Sequence, residues 1–436
     1  MLAWARDRFN QEFTEEQYRA FVDAVTTGAG VPIEFRLSET PCFFPSSLLD
    51  SLVEAAQVMT RQLLNNAAYR TAADAMVPER FRLANGETLP TCVQVDFGLV
   101  RTDSGAIEGR LVELQAFPSL YGFQMLLAET ALGHLGESGH LGLEGDGSRS
   151  VAGEMTSEVR PQRSYGHRSR PVPLSSRIFN PYLSGLNRSS YLELMRRTLV
   201  GEHDPASVIL MEIEPRRQKT LPDFTVTENT WGIRPLDTRE IIREGRRLFY
   251  KRDGVLTPIV RIYNRVIPDE LERSGAPMPF DYRDDLDVEW IGGPDWFFRI
   301  SKFSIPWITH PWVPETHFLS NVKAMPDDRD EWLLKPLFSF AGGGIIFSPT
   351  NADIAAIPDD QRHLYVLQRR VAFTPLIRTP AGDTQAELRI MMVREGDGYR
   401  AVMPLVRMGR GKMMGVDHNK GLRFVGASAA LMEMGN

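Results

Sequence analysis

Lys335 ends a short apolar run, Trp332-Leu333-Leu334, and is followed by Pro336. A flexible tract, Ser339-Phe340-Ala341-Gly342-Gly343-Gly344, leads into a second apolar run, Ile345-Ile346-Phe347. Strand, cation, glycine hinge, strand is an order suited to covering a phosphate. Glycines let backbone N–H groups turn toward an anion with no Cβ in the way. The lysine ammonium offers a point charge to a phosphate oxygen. Taken alone, the same residues also fit a plain β-hairpin with a glycine-rich turn.

Two further groups carry chemistry. Glu113 and Gln115 are two apart in Val112-Glu113-Leu114-Gln115, so on a strand both point to one face. Asp96, on a neighbouring strand, meets them there. Two carboxylates and an amide oxygen form a hard-cation site suited to Mg²⁺; by itself the alternation also reads as a half-exposed strand. Late in the chain, Arg389, Arg407 and Lys420 gather positive charge, with Glu387 on the same strand face as Arg389. Local cationic character in an acidic chain suggests an anionic ligand. A solvated basic face is the alternative.

The chain has 436 residues, about one-quarter charged, and a formal charge of −6. That length predicts two or three domains. No long basic run marks a nucleic-acid partner. Two cysteines, Cys42 and Cys92, form no disulfide framework or metal spacing and point to a reducing, cytoplasmic setting. The first residues are charged and helical in period, unlike a secretory signal. No run of about 18 apolar residues predicts a membrane span.

The positioning elements predict a mixed α/β (α+β) fold. Residues 1–90 read as a helical N-terminal region, with Thr14 as an N-cap and a second helix from Pro45 to about Asn66. Residues 91–134 read as a hairpin turning at Asp103-Ser104-Gly105, followed by an apolar helix. Residues 135–175, rich in Gly, Ser, Arg and Pro, read as a flexible insert. Residues 176–295 alternate strand and helix around a parallel-type sheet, with helices at 223–231 and 238–244 and strands at 207–213, 233–236 and 259–263. Asn264 and Arg265 follow the last strand, where α/β sheets tend to bind ligands; a surface salt bridge is the alternative for Arg265. Residues 296–436 hold Lys302 on a short helical segment, the glycine hairpin, a 365–371 strand and a strand pair turning at Gly396-Asp397-Gly398.

Taken in order, Lys302, a Pro-rich turn, Lys335-Pro336, the glycine tract, Tyr365-Val366-Leu367-Gln368, Glu387-Leu388-Arg389 and Asn419-Lys420-Gly421 resemble the ATP-grasp superfamily. The metal-binding strand, usually last, sits near the front as Glu113-Leu114-Gln115. The chain is therefore similar to the circularly permuted branch, which includes eukaryotic-type glutathione synthetase and glutathionylspermidine synthetase. The resemblance spans roughly residues 90–125 and 205–425, with 176–295 as the α/β pre-ATP-grasp domain. It implies ATP and Mg²⁺ as cofactors. Lys302, Lys335, Ser339, Ala341, Gly342, Gly343 and Gly344 would contact phosphates, and Gln368, Arg369, Arg370 and Val371 the adenine. Asp96, Glu113 and Gln115 would hold Mg²⁺. Gln94 and Ser119 match substrate-contacting positions, with Tyr121 and Arg265 as further substrate-facing residues. Arg389, Arg407, Asn419 and Lys420 would stabilise the reacting carboxyl. The chain departs from the family in three places. Gln115 replaces an asparagine, Gln94 replaces an arginine, and Ser339 or Phe340 stands where relatives carry a metal-binding glutamate.

The activity so implied is ligation of a small carboxylate to an amine through an acyl phosphate. An ATP-dependent kinase on the same fold, or a nucleotide-binding protein without turnover, remains open beside it. The substrates and the oligomeric state are not encoded in any readable motif.

Overall fold

Apolar residues at Leu48, Leu49, Leu52, Ala55, Ala56, Met59 and Leu63 recur at helical spacing and give the Ser46–Asn65 helix one buried stripe. That stripe meets Val93, Val95 and Phe97, the alternate positions of the Cys92–Arg101 strand, and Leu388, Ile390 and Met392 of the Gln385–Glu395 strand. Each large side chain so buried stabilises the fold by about 1.5–3 kcal/mol. The computed structural model describes residues 1–136, 179–339, 342–412, 414, 419 and 421–434. From residue 137 onward, the expected insert lies outside them.

The largest sheet has seven strands. Its order is Cys42–Phe44, Gly426–Glu433, Gly398–Gly409, Gln385–Glu395, Cys92–Arg101 and Ile107–Gln115, with Phe179–Asn180 paired to Gly426–Glu433. Only the first of these pairings is parallel. The front hairpin therefore joins the late strand pair edge to edge. Helices Tyr121–Gly136 and Arg188–Leu199 cover part of the sheet's second face, packing on Met391, Val393, Met403 and Leu405.

A second sheet, Glu289–Ile291, Arg261–Asn264, Val208–Glu212, Arg234–Asp237, is parallel throughout. A third, antiparallel, orders Thr316–Phe318, Tyr365–Arg369, Trp332–Pro336 and Ile346–Phe347. In it Leu333 pairs with Phe347, so Lys335 heads the glycine turn. No described helix is long and apolar enough to cross a membrane.

Three expectations are corrected. Residues 1–90 are not all helical: Cys42–Phe44 is a strand, because the Gly426–Glu433 strand needs a partner along that edge. The 238–244 helix is a single 3-10 turn, Thr238–Glu240, capped by Asp237, and Ile242–Glu244 then pairs with Arg247–Arg252 around Gly245 at φ 64°. The 259–263 strand breaks at Val260. Val255–Ile259 belongs to a small antiparallel sheet and Arg261–Asn264 to the parallel one.

Candidate functional site

Alternation along four adjacent strands sends one set of apolar residues to the core under the Ser46–Asn65 helix and leaves the polar set on the second face, beside Met391 and Leu405. Asp96 lies opposite Glu113 and Gln94 opposite Gln115 in one pairing, and Arg389 lies opposite Asp96 in the next. Arg407 lies opposite Glu387. Arg389 donates to Asp96 through Nε (2.6 Å) and Nη2 (2.7 Å), and through Nη1 to Gln94 Oε1 (3.0 Å). Arg407 Nη1 donates to Asp96 Oδ2 at 3.1 Å and also to Glu387. Gln115 Nε2 donates to Gln94 Oε1 at 2.6 Å, and Gln94 Nε2 to the Ser119 carbonyl at 2.8 Å.

The ionisation states follow from this lattice. Burial alone would raise the Asp96 pKa, but the Arg389 and Arg407 charges outweigh it and hold Asp96 below the usual carboxylate range. Burial raises Glu387, with Arg407 opposing. Burial lowers Arg407, yet Asp96, Glu387 and Glu113 overcome it and raise its pKa.

The facing wall belongs to the third sheet. Lys335 is buried and its ammonium donates to Gln368 Oε1 at 2.5 Å. Burial first, and then the neighbouring Lys302 charge, pull its pKa down to about 8, with Glu113 and Glu387 opposing. Lys302 opens a 3-10 turn capped by Ser301 and donates to the Ser339 carbonyl at 2.8 Å. Glu113 lies between the walls, one oxygen 4.0 Å from Lys302 Nζ and the other 3.9 Å from Arg389 Nη2. Gly342 and Gly344 take left-handed φ of 77° and 72°, which only glycine adopts without strain.

These walls enclose a cavity of about 640 Å³. Among the described residues, nine basic ones and two acidic ones, Glu113 and Glu387, line it. Leu333, Ile345, Phe347, Val371 and Phe373 form an apolar slot near Lys335. Gly98 is needed beneath that slot, since a Cβ there would lie 2.7 Å from the Phe373 ring. Phe35, Phe117, Leu120, Phe123 and Phe297 line the cavity elsewhere, together with Arg265.

Of the residues expected at the site, Glu113, Gln115, Ser119, Arg265, Lys302, Lys335, Ser339, Gly342, Gln368, Arg370, Val371, Arg389 and Arg407 line this one cavity. Gly343 and Gly344 are exposed at the hairpin tip. Arg369 faces away, 3.0 Å from Asp328 and over the Trp332 ring, because alternation puts it opposite Gln368. Tyr121 is fully buried and donates to the Met392 carbonyl at 3.0 Å, so it braces the sheet and does not face a ligand. Asn419 is buried beneath the Arg410 loop, its Oδ1 accepting from Arg410 N at 3.0 Å. Gln94 is a buried bridge. Ala341 and Lys420 lie outside the described residues.

Asp96 does not fit a metal ligand here, because two guanidiniums take up both of its oxygens. Glu113 fits better, with neither oxygen in a hydrogen bond shorter than its ion-pair contacts. Gln115 fits too, since its nitrogen is engaged by Gln94 and its oxygen is left. A carboxylate and an amide oxygen are enough for an Mg²⁺ that arrives with phosphate oxygens. Among the described residues, no group of three or more His, Cys, Asp or Glu is placed to hold a metal ion by itself.

Glu387 is a site residue that the motif pattern leaves out; its shared face with Arg389 is the available signal. The apolar wall of Phe35, Leu120 and Phe123 has none, because it joins a loop to a helix start.

No family model matches the chain. No curated protein matches it either. Among solved structures, it is similar to a glutathione synthetase-like effector from Globodera pallida in its apo form. The two are 11% identical with a TM-score of 0.56, over 95% of this chain and 96% of that one. At that identity the likeness concerns fold alone: the chain has a mixed α+β fold shared nearly end to end with a glutathione synthetase-like protein.

Proposed function

We propose that the chain is an ATP- and Mg²⁺-dependent carboxylate–amine ligase on a circularly permuted ATP-grasp fold. One observation carries the reading: Lys302, Lys335 and the Gly342 turn share one cationic cavity with Glu113, Gln115, Arg389 and Arg407. In the reaction, a substrate carboxylate oxygen attacks the γ-phosphorus of ATP, the bond to the bridging oxygen breaks, and ADP leaves with that electron pair. An amine then attacks the acyl carbon, phosphate leaves with its oxygen, and the amine's proton passes to solvent.

Little covalent work falls to the protein, which positions anions and neutralises charge. Glu113 and Gln115 would hold Mg²⁺, which when bound would supply positive charge to offset that of the phosphates. Lys335 and Lys302 bind phosphate oxygens, and Leu333, Phe347, Val371 and Phe373 make a slot suited to adenine. Arg407 orients the substrate carboxylate, while Asp96 and Glu387 hold the guanidiniums in place. The Gly342 hairpin excludes water that would otherwise hydrolyse the acyl phosphate.

Incubation with Mg-ATP, hydroxylamine and pooled acids tests this. Equal yields of ADP and acyl hydroxamate are expected, lost in Lys335→Ala. A stable phosphorylated product with no hydroxamate would make it a kinase. A second reading, nucleotide binding without turnover, is favoured by the commitment of Asp96 and Glu387 to arginines, which leaves Glu113 to serve the metal. ATP affinity in calorimetry with no ADP formed under any acid and amine would establish that reading instead.

A further inference from the structure

We propose that the acid taken by this cavity is a monocarboxylate carrying an aromatic or branched apolar group, bound with its carboxylate at Arg407. The proposal rests on the ligase reading above. Arg407 lies directly opposite Ala427 on the neighbouring strand, and such partners have Cβ atoms about 5 Å apart. Ala427 packs in one apolar cluster with Phe35, Leu120 and Phe123, and all four line the cavity. Phe35 meets Phe123 edge-on, with ring centroids 5.3 Å apart. A guanidinium and an apolar wall therefore stand side by side, spaced for the two ends of one small acid.

Leu120 adds an independent observation. Its φ of 66° is left-handed, a conformation a leucine adopts only when its surroundings impose it. Buried Asp223 imposes it, accepting from the Leu120 amide at 3.1 Å and the Phe123 amide at 2.9 Å. The constraint holds an apolar side chain at the cavity wall where glycine would be the unstrained choice.

Charge narrows the class further. Among the described lining residues, nine basic ones against Glu113 and Glu387 disfavour a polyamine. Beside Ala427, Glu387 is already engaged by the Arg407 guanidinium, so the α-ammonium of a glutamyl peptide would have to compete for a committed carboxylate.

Calorimetry on the full chain with a non-hydrolysable ATP analogue and Mg²⁺ tests this, using phenylacetate, isovalerate, acetate, L-glutamate and spermidine. Phenylacetate and isovalerate should bind at least about tenfold more tightly than acetate or glutamate, as apolar pockets discriminate, and spermidine should not bind. Leu120→Gly relieves the backbone and should fold, shown by thermal unfolding, yet cut the phenylacetate-to-acetate ratio about tenfold. Equal affinities, tighter glutamate or spermidine, or no acid binding at all overturns the proposal. Preferential phenylacetate binding without analogue binding would sink the ligase reading and leave this pocket standing.

Discussion

Arg389 grips Asp96 with two parallel hydrogen bonds, Nε to Oδ1 at 2.6 Å and Nη2 to Oδ2 at 2.7 Å, across 293 positions of chain. The bidentate fork fixes both groups in one plane. Arg407 adds a third bond at 3.1 Å, so three of about four acceptor positions on the carboxylate are used. Asp96 thus anchors two guanidiniums whose remaining N–H groups are available to an anion.

Removing that anchor should be costly. Asp96→Ala leaves buried Arg389 without its counter-charge and half-buried Arg407 with Glu387 alone, and breaking a buried pair on one side destabilises by about 3–5 kcal/mol. Urea unfolding should register a loss of that size. A variant with native stability and only a raised Mg²⁺ requirement would restore Asp96 to the metal.

Lys335 should make both stability and anion affinity depend on pH. Its pKa is lowered from 10.5 to about 8, chiefly by burial. Between those values the unfolded chain binds the extra proton, so stability should rise with pH from about 8 to 10.5. Anion binding needs the protonated form, so ATP affinity should fall over the same range. Lys335→Ala should abolish the stability slope and weaken ATP by about 1.5–3 kcal/mol, the worth of a charge-assisted contact. Unfolding and calorimetry at pH 7, 8 and 9 read both effects together.

Glu113 and Gln115 should govern the response to Mg²⁺. Glu113→Gln removes the carboxylate while keeping its shape, and should shift the Mg²⁺ dependence of ADP formation to higher concentration by about tenfold or more. Gln115→Asn, which keeps the amide oxygen on a shorter arm, should retain activity. An unchanged Mg²⁺ curve in Glu113→Gln would move the metal elsewhere.

What the chain reveals before folding is local. Alternation around Glu113 and Gln115, a turn at Gly105 and the stretch from Lys335 to Phe347 each specify a hairpin without help from distant chain. The pairing of Asp96 with Arg389 is not legible, because no local pattern says which remote strands become neighbours. Arg369 is different: strand alternation already implies that Gln368 and Arg369 face opposite ways, and only taking a run of four residues as one contact hides it. Tyr121 follows the Ser119 loop, a position that suggests a ligand-facing side chain. The start of the Tyr121–Gly136 helix instead turns its hydroxyl into the sheet. Phe35 reaches the cavity from an irregular segment, where periodicity has nothing to report.

Glu87 makes stability depend on pH below neutrality. It ties the loop before the Cys92–Arg101 strand to the parallel sheet, accepting from Gly292 N at 3.0 Å and from the Thr91 hydroxyl. Burial pushes its pKa from 4.5 up to about 7, helped by nearby Asp295 and opposed by Thr91, Gly292 and Arg394. Asp295 is itself raised to about 6 by burial. A raised carboxylate contributes stability that is complete below its unfolded pKa and is lost as pH rises through the folded one. Glu87→Gln keeps an oxygen for Gly292 and cannot ionise. Relative to this variant, the wild type should therefore lose stability as pH climbs from about 4.5 to about 7, by about 1.4 kcal/mol for each pH step of one within that window. Parallel unfolding curves for the two proteins across that window would mean that Glu87 stays ionised in the fold, and that its carboxylate holds the loop to Gly292 as a charge-assisted acceptor throughout.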